Sequence, residues 1–334
     1  MNLNGRWQAD EAWAWYRKQP WLCGCNYIPS TAVNTSEMWQ AQTFDPATIE
    51  RELDWAARIG FNTCRVFVQF LVWDADPAGQ LERMERFLEI AGRRGISTMY
   101  TLFDDCAFAG KQPYLGRQDD PVPSVHNSGW TPSPGHLRAV DPAAQARLEE
   151  YVRAVVGRFA QDERVLAWDL FNEPGNSEMG SRSLGLLADS FRWARAARPA
   201  QPLTAGVWRR DMPDLNAVML ENSDVPSFHA YGELSALREM VEAVMKPTGY
   251  PFLCTEWMAR SLGSRWETDL PYLKSERIGC YSWGLAAGRT QTRFPWGTPR
   301  GAPEPEVWFH DLFDADGRAY RAEEIAAIRA ATGV

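Results

Sequence analysis

The stretch Val165-Leu166-Ala167-Trp168-Asp169-Leu170-Phe171-Asn172-Glu173-Pro174-Gly175 decides the fold. It is a short, mostly apolar run bounded by charge on one side and Pro-Gly on the other. Such a run reads as a buried parallel strand, although its apolarity alone also fits a buried helix segment. An amide and a carboxylic acid end it, and Pro174 blocks helical continuation directly after them. Asn172 and Glu173 are therefore expected at the carboxyl end of a buried strand. In a parallel barrel that is the end where sites are built.

A second apolar run, Tyr250-Pro251-Phe252-Leu253-Cys254-Thr255-Glu256-Trp257, has the same design and again finishes in a glutamate. Either glutamate alone reads as a solvated strand end. The two together form a candidate carboxylate pair, the chemistry that glycoside hydrolysis requires. Asn172-Glu173-Pro174 after an apolar strand, with Thr255-Glu256-Trp257 a few strands later, resembles the clan of retaining β-glycosidases that includes glycoside hydrolase family 5, the cellulase, mannanase and β-mannosidase type. The resemblance covers roughly residues 21–283.

The chain around these motifs has 334 residues, which suits a (β/α)8 TIM barrel, α/β in class, as a single catalytic domain over 1–334. Its hydrophobic content of 45% can fill a large core. The net charge of −8 comes from scattered acids, so no nucleic-acid or anionic-membrane surface is expected. Sixteen tryptophans offer flat apolar faces that match the C–H faces of sugars, though most must serve the core. The first ten residues lack a basic segment followed by an apolar one, and no membrane span is evident. A signal peptide is not expected, and a cytoplasmic location is. Cys23, Cys25, Cys64, Cys254 and Cys280 fall in apolar runs and Cys106 just past another. All six read as buried free thiols of a reducing compartment.

Apolar runs at 21–28, 61–68, 96–103, 165–173, 202–207, 225–231, 250–257 and 278–284 predict eight strands. Helical patterns at 11–19, 46–59, 80–94, 142–161, 182–197, 234–244 and 323–331 alternate with them, and a mixed segment occupies 211–220. Asp45-Pro46 and Asp141-Pro142 each supply an N-cap followed by proline at the first helical position. Eight such alternations favour a closed parallel barrel. Two loops are too long to be simple connectors: 104–140, after the third strand, and 288–309, after the eighth. Both are expected to overhang the carboxyl face, with Trp130 and Trp296 available for packing or sugar contact.

Other strand ends supply partners for the pair. Arg65 lies inside an apolar strand, where a charge must be paired. A site carboxylate is the obvious partner, and a salt bridge within the barrel is the alternative. His229 and Tyr231 share one face through the two-residue period. Trp283 ends the eighth strand. The resemblance implies Glu173 as acid/base and Glu256 as nucleophile, with Arg65 and Tyr231 holding the nucleophile. It further implies Asn172 on the sugar 2-hydroxyl, His229 lining the site and Trp283 stacking under the sugar. The histidine that such enzymes often place after the third strand has no clear match. Asp104-Asp105 stands there, and His126 is the nearest candidate. Trp168 and Asp169, in mid-strand, suit packing and a buried hydrogen bond.

Four histidines without a close-spaced pair argue against a metal centre, and no phosphate-binding glycine loop occurs. Asp314-Ala315-Asp316-Gly317 reads as a turn. The expected activity is cleavage of β-glycosidic bonds in oligo- or polysaccharides by double displacement, without a cofactor. Glu173 is expected to be kept protonated by its surroundings and by the charge on Glu256. The lack of a signal peptide leans toward exo action on small oligosaccharides. A transglycosylase using the same residues and a catalytically silent carbohydrate-binding barrel stay open.

Overall fold

Short β-branched and apolar runs, each too brief to bury itself alone, associate here into one parallel sheet. The computed structural model describes residues 5–334; the first four residues of the expected 1–334 domain lie outside it. The ladder segments are β1 (Cys23–Asn26), β2 (Thr63–Phe67), β3 (Ser97–Asp104), β4 (Val165–Asn172), β5 (Leu203–Thr204), β6 (Gly206–Val207), β7 (Ser227–Ala230), β8 (Leu253–Trp257) and β9 (Gly279–Ser282). Their order is β5-β4-β3-β2-β1-β9-β8-β7-β6, and every pairing is parallel. The two ends of that order, β5 and β6, are separated only by Ala205. One piece of chain thus pairs with β4 on one side and β7 on the other, and completes the ring. Counted this way the barrel has the eight strands expected, with β8 and β9 as the expected seventh and eighth.

Helices cover the outside at most of the expected places. Pro46–Arg58 starts on Asp45, whose side chain accepts from Thr48 N. Asp141 caps a 3-10 turn, Pro142–Ala144, that runs into the helix Gln145–Arg158. Leu184–Ala196 and Ala322–Thr332 also match the periodic segments. Helices that stand where none was expected include Thr35–Trp39, Phe70–Ala75 and Trp266–Ser275. The first two are too short to show a period. The third carries Pro271 internally, which masks its pattern. The mixed segment is a helix, Pro213–Asn222.

A small cluster from the barrel interior, including Leu22, Met99, Ala167, Leu253 and Tyr281, packs with Tyr16 of the helix Ala9–Lys18. This plugs the amino-terminal mouth and leaves the carboxyl mouth for chemistry. Among the described residues no helix is long and apolar enough to cross a membrane.

The two long loops meet over that carboxyl mouth. Asn127 N donates to Thr290 O at 2.8 Å, Ser124 N to Gln291 Oε1 at 2.8 Å, and Gln291 Nε2 to Val122 O at 2.7 Å. Beneath the second loop, buried Arg260 binds both oxygens of buried Glu324, from the last helix, and the carbonyls of Trp308 and Asp311. Removing one partner of a buried ion pair leaves the other charge stranded. Glu324→Ala should therefore lower the unfolding free energy by about 3–5 kcal/mol in a urea titration, whereas a loss below ~1 kcal/mol would mean the pair is effectively solvated.

Candidate active site

The strand β4 ends in Asn172, and Glu173 then turns into the left-handed region, with φ +43°, before Pro174. That backbone costs roughly 1–3 kcal/mol for a residue with a Cβ, and the Glu173 carboxyl lies 2.8 Å from His229 Nδ1. Glu256 reaches the same space from β8 and is almost fully buried. An oxygen of Glu173, one of Glu256 and a ring nitrogen of His229 all lie within 4.8 Å of one another.

At the centre of this arrangement is Arg65 of β2, whose side chain is wholly buried. Its Nε donates to Asp169 Oδ2 at 2.7 Å. Nη1 donates to Asn26 Oδ1 and to Glu256 Oε1, both at 2.8 Å, and Nη2 to Asn172 Oδ1 at 2.7 Å. Both readings of Arg65 are therefore realised: it meets a site carboxylate and also a barrel carboxylate. Burial opposes its charge, but Asp169 and Glu256 more than offset this and raise its pKa. Asp169 provides the buried hydrogen bond expected of it.

The two glutamates have different neighbours. Glu256 Oε2 accepts from Tyr231 Oη at 2.7 Å, so each of its oxygens holds one strong donor. Burial raises its pKa, reinforced by the charge of Glu173 and opposed by His229, Arg65 and Tyr231. Glu173 Oε1 lies 2.8 Å from His229 Nδ1, and its Oε2 meets Cys106 Sγ at 3.2 Å and the amide of Asn176. Burial pushes Glu173 upward too, but His229, Cys106 and Asn176 overcome it and hold the carboxyl below its usual range. This corrects the expectation of a Glu173 protonated on its own. After burial, His229 is the largest cause, a ring nitrogen at hydrogen-bond distance that favours the carboxylate. Gly206 leaves room for that ring, since a Cβ there would lie 3.1 Å from His229 Nε2.

A cavity of about 470 Å³ opens above the pair. Trp130, Trp283 and Trp296 all line it, as do Asn172, His126, His229 and Tyr231. Trp283 and Trp130 stand edge to face, 5.9 Å apart, and both pack on Phe67. Trp296 is 46% exposed at the rim and donates to His126 Nε2. His126 lies on the first long loop, donating from Nδ1 to Phe294 O, and burial lowers its pKa to about 4. It is not at the end of β3. There Asp104 takes the position beside Asn172, accepting from Asn172 Nδ2 at 2.8 Å and Trp130 Nε1 at 2.7 Å.

Several lining residues escaped the sequence reading: Cys106, Phe108, Asn127, Asn176, Ser177, Trp208 and His310. Most sit on loops without periodicity. Cys106 was grouped with the buried thiols, yet it is half-buried beside Glu173, unlike the other five. Glu173, His229 and Glu256 are also the one group among the described residues whose donors could converge on a metal ion. The Arg65 guanidinium, already 2.8 Å from Glu256, opposes a second cation there.

No protein-family model matches the chain, and no curated protein is similar to it in sequence. Solved structures are similar in fold. An exo-β-1,4-mannosidase from Opitutaceae bacterium strain TAV5 matches at a TM-score of 0.65 and 20% identity, over 93% of this chain and 60% of that one. The chain thus spans less than two thirds of that protein. A GH5_18 protein from Streptomyces cattleya, in complex with Manβ1-4GlcNAc, matches at 0.61 and 15% identity, over 94% and 80% of the two chains. A glycoside hydrolase family 5 mannosidase from Rhizomucor miehei matches at 0.62 and 11% identity, over 95% and 94%.

Burial raises the Asp104 carboxyl to about 7, so the folded state binds a proton that the unfolded state has released above about 4. That contribution to stability is complete at low pH and is lost as pH rises toward 7. The stability of the wild type relative to Asp104→Asn should therefore fall between about pH 4 and pH 7 and stay level above. Urea unfolding across that range measures it, and a difference independent of pH would contradict the raised value. By its strands and their order, the chain has the (β/α)8-barrel fold of these glycoside hydrolases.

Proposed function

We propose that this protein is a retaining glycoside hydrolase that cleaves β-glycosidic bonds, with residues 1–334 forming its single catalytic domain. The observation that carries the proposal is the approach of Glu173 and Glu256 to within 4.8 Å from the carboxyl ends of β4 and β8, below an aromatic cavity. Retaining enzymes hold their carboxyl groups about 5–5.5 Å apart, whereas inverting enzymes need about 6.5–9.5 Å to admit water.

In the reaction, Glu173, protonated in the substrate complex, gives its proton to the glycosidic oxygen as that bond breaks. Glu256 attacks the anomeric carbon with one oxygen, while Arg65 and Tyr231 hold its carboxylate in line. Asn172, fixed by Arg65 on its oxygen and Asp104 on its nitrogen, is placed for the sugar 2-hydroxyl, and Trp283 for the ring face. Glu173 then takes a proton from water, which releases the sugar from Glu256. No step calls for a cofactor.

The joined loops contribute His126, Asn127, Trp130 and Trp296 to the cavity wall, which supports a reading of exo action on a chain end. The mannosidases among the similar structures make β-mannosides the first substrates to assay. Six free cysteines fit a reducing, cytoplasmic setting. Glu256→Ala should abolish turnover, and azide should then restore it with an α-glycosyl azide as product. Glu173→Ala should lose roughly 10²–10⁴-fold on glycosides with poor leaving groups, but much less on an activated aryl glycoside. Near-native rates for both variants on an unactivated substrate would place the chemistry elsewhere.

A further inference from the structure

Three consecutive residues, the last of β3 and the two after it, grip the end of β4 and the loop that follows at three points. Asp104 Oδ1 accepts from Asn172 Nδ2 at 2.8 Å and from Cys106 N at 2.9 Å. Asp105 Oδ2 accepts from Gly175 N at 2.8 Å and from the Ser183 hydroxyl. Cys106 Sγ meets Glu173 Oε2 at 3.2 Å. Asn172 at the end of β4, and Glu173 and Gly175 in the loop after it, are thus each held from the end of β3. Glu173 needs such a hold, because its left-handed backbone is disfavoured for any residue with a Cβ.

The direction of the Cys106 hydrogen bond follows from its other neighbours. Sulfur accepts from Asn172 Nδ2 at 3.4 Å and from Asn176 Nδ2 at 3.3 Å. Both amides point N–H groups at it, so the thiol proton has Glu173 Oε2 as its acceptor. Burial and the charges of Asp104, Glu173 and Glu256 push the thiol pKa far up, which keeps that proton on sulfur. The other ionisable groups around Glu173 are His229 from β7, Tyr231 beyond it, Glu256 from β8 and Asp104 from β3. Arg65 of β2 reaches it through Asn172 and Glu256. Against these, the thiol is a neutral donor that stabilises the Glu173 carboxylate.

We propose that Cys106 is a positioning residue for Glu173: its S–H holds the carboxyl in place and weakens its hold on the acid proton. Its catalytic meaning rests on the glycosidase reading, but its effect on Glu173 does not. The test is a ¹³C titration of glutamate-labelled protein, with the Glu173 carboxyl assigned by its loss in Glu173→Gln. In Cys106→Ala the Glu173 titration should move up by about half a pH unit or more, as loss of one hydrogen bond predicts. Cys106→Ser, which keeps a donor, should return it toward the wild-type position. In turnover the basic limb of kcat/KM should move up with it in Cys106→Ala. An unmoved titration in Cys106→Ala, or equal shifts in the alanine and serine variants, would overturn the inference. A shifted titration in a protein that hydrolyses no glycoside would support the clamp and count against the glycosidase reading instead.

Discussion

The site depends on one buried guanidinium. Arg65 brings a permanent charge into the barrel with no exposed surface, a cost that only dense pairing offsets. It spends its donors on Asp169, Asn26, Asn172 and Glu256, from β4, the end of β1, and β8. One side chain therefore sets the orientation of the Asn172 amide and one oxygen of Glu256 together. The same pairing serves stability and chemistry, because the carboxylates that neutralise Arg65 are also the ones it orients.

Around that hub the two glutamates are differentiated by what donates to them. Glu256 is held by a cation and a phenol, which fix both of its oxygens for the attack proposed for it. Glu173, for which we propose the acid/base role, is held by an imidazole, a thiol and an amide. The paired loops add the outer wall. Their backbone and side-chain bonds join residues 122–127 to 290–294, so the cavity is shaped by contacts about 165 residues apart in sequence.

The barrel was legible because each strand is a short apolar run with a recognisable end, and the site because Asn172, Glu173 and Glu256 stand at such ends. Arg65 was legible as a charge where none should be unpaired, and His229 and Tyr231 through the two-residue period. What was not legible has no period to read. Asp104 and Cys106 look like a polar turn and a core thiol until β3 and β4 are placed side by side. His310 lies just beyond a loop whose fold is decided by residues 120–130. The helix Trp266–Ser275 was hidden by its internal proline. The proton on Glu173 could not be assigned from charge alone, since the deciding contact with His229 spans 56 residues.

The central claim is that Glu173 and Glu256 act as a retaining pair, and the most direct measurement is the configuration of the first sugar released. With wild-type enzyme and an aryl β-mannoside, or whichever aryl β-glycoside it turns over, ¹H NMR in the first minutes resolves the new anomer before mutarotation. A retaining pair predicts that the β-anomer appears first and the α-anomer grows in later. Initial release of the α-anomer would mean direct attack by water, and would contradict a nucleophilic Glu256.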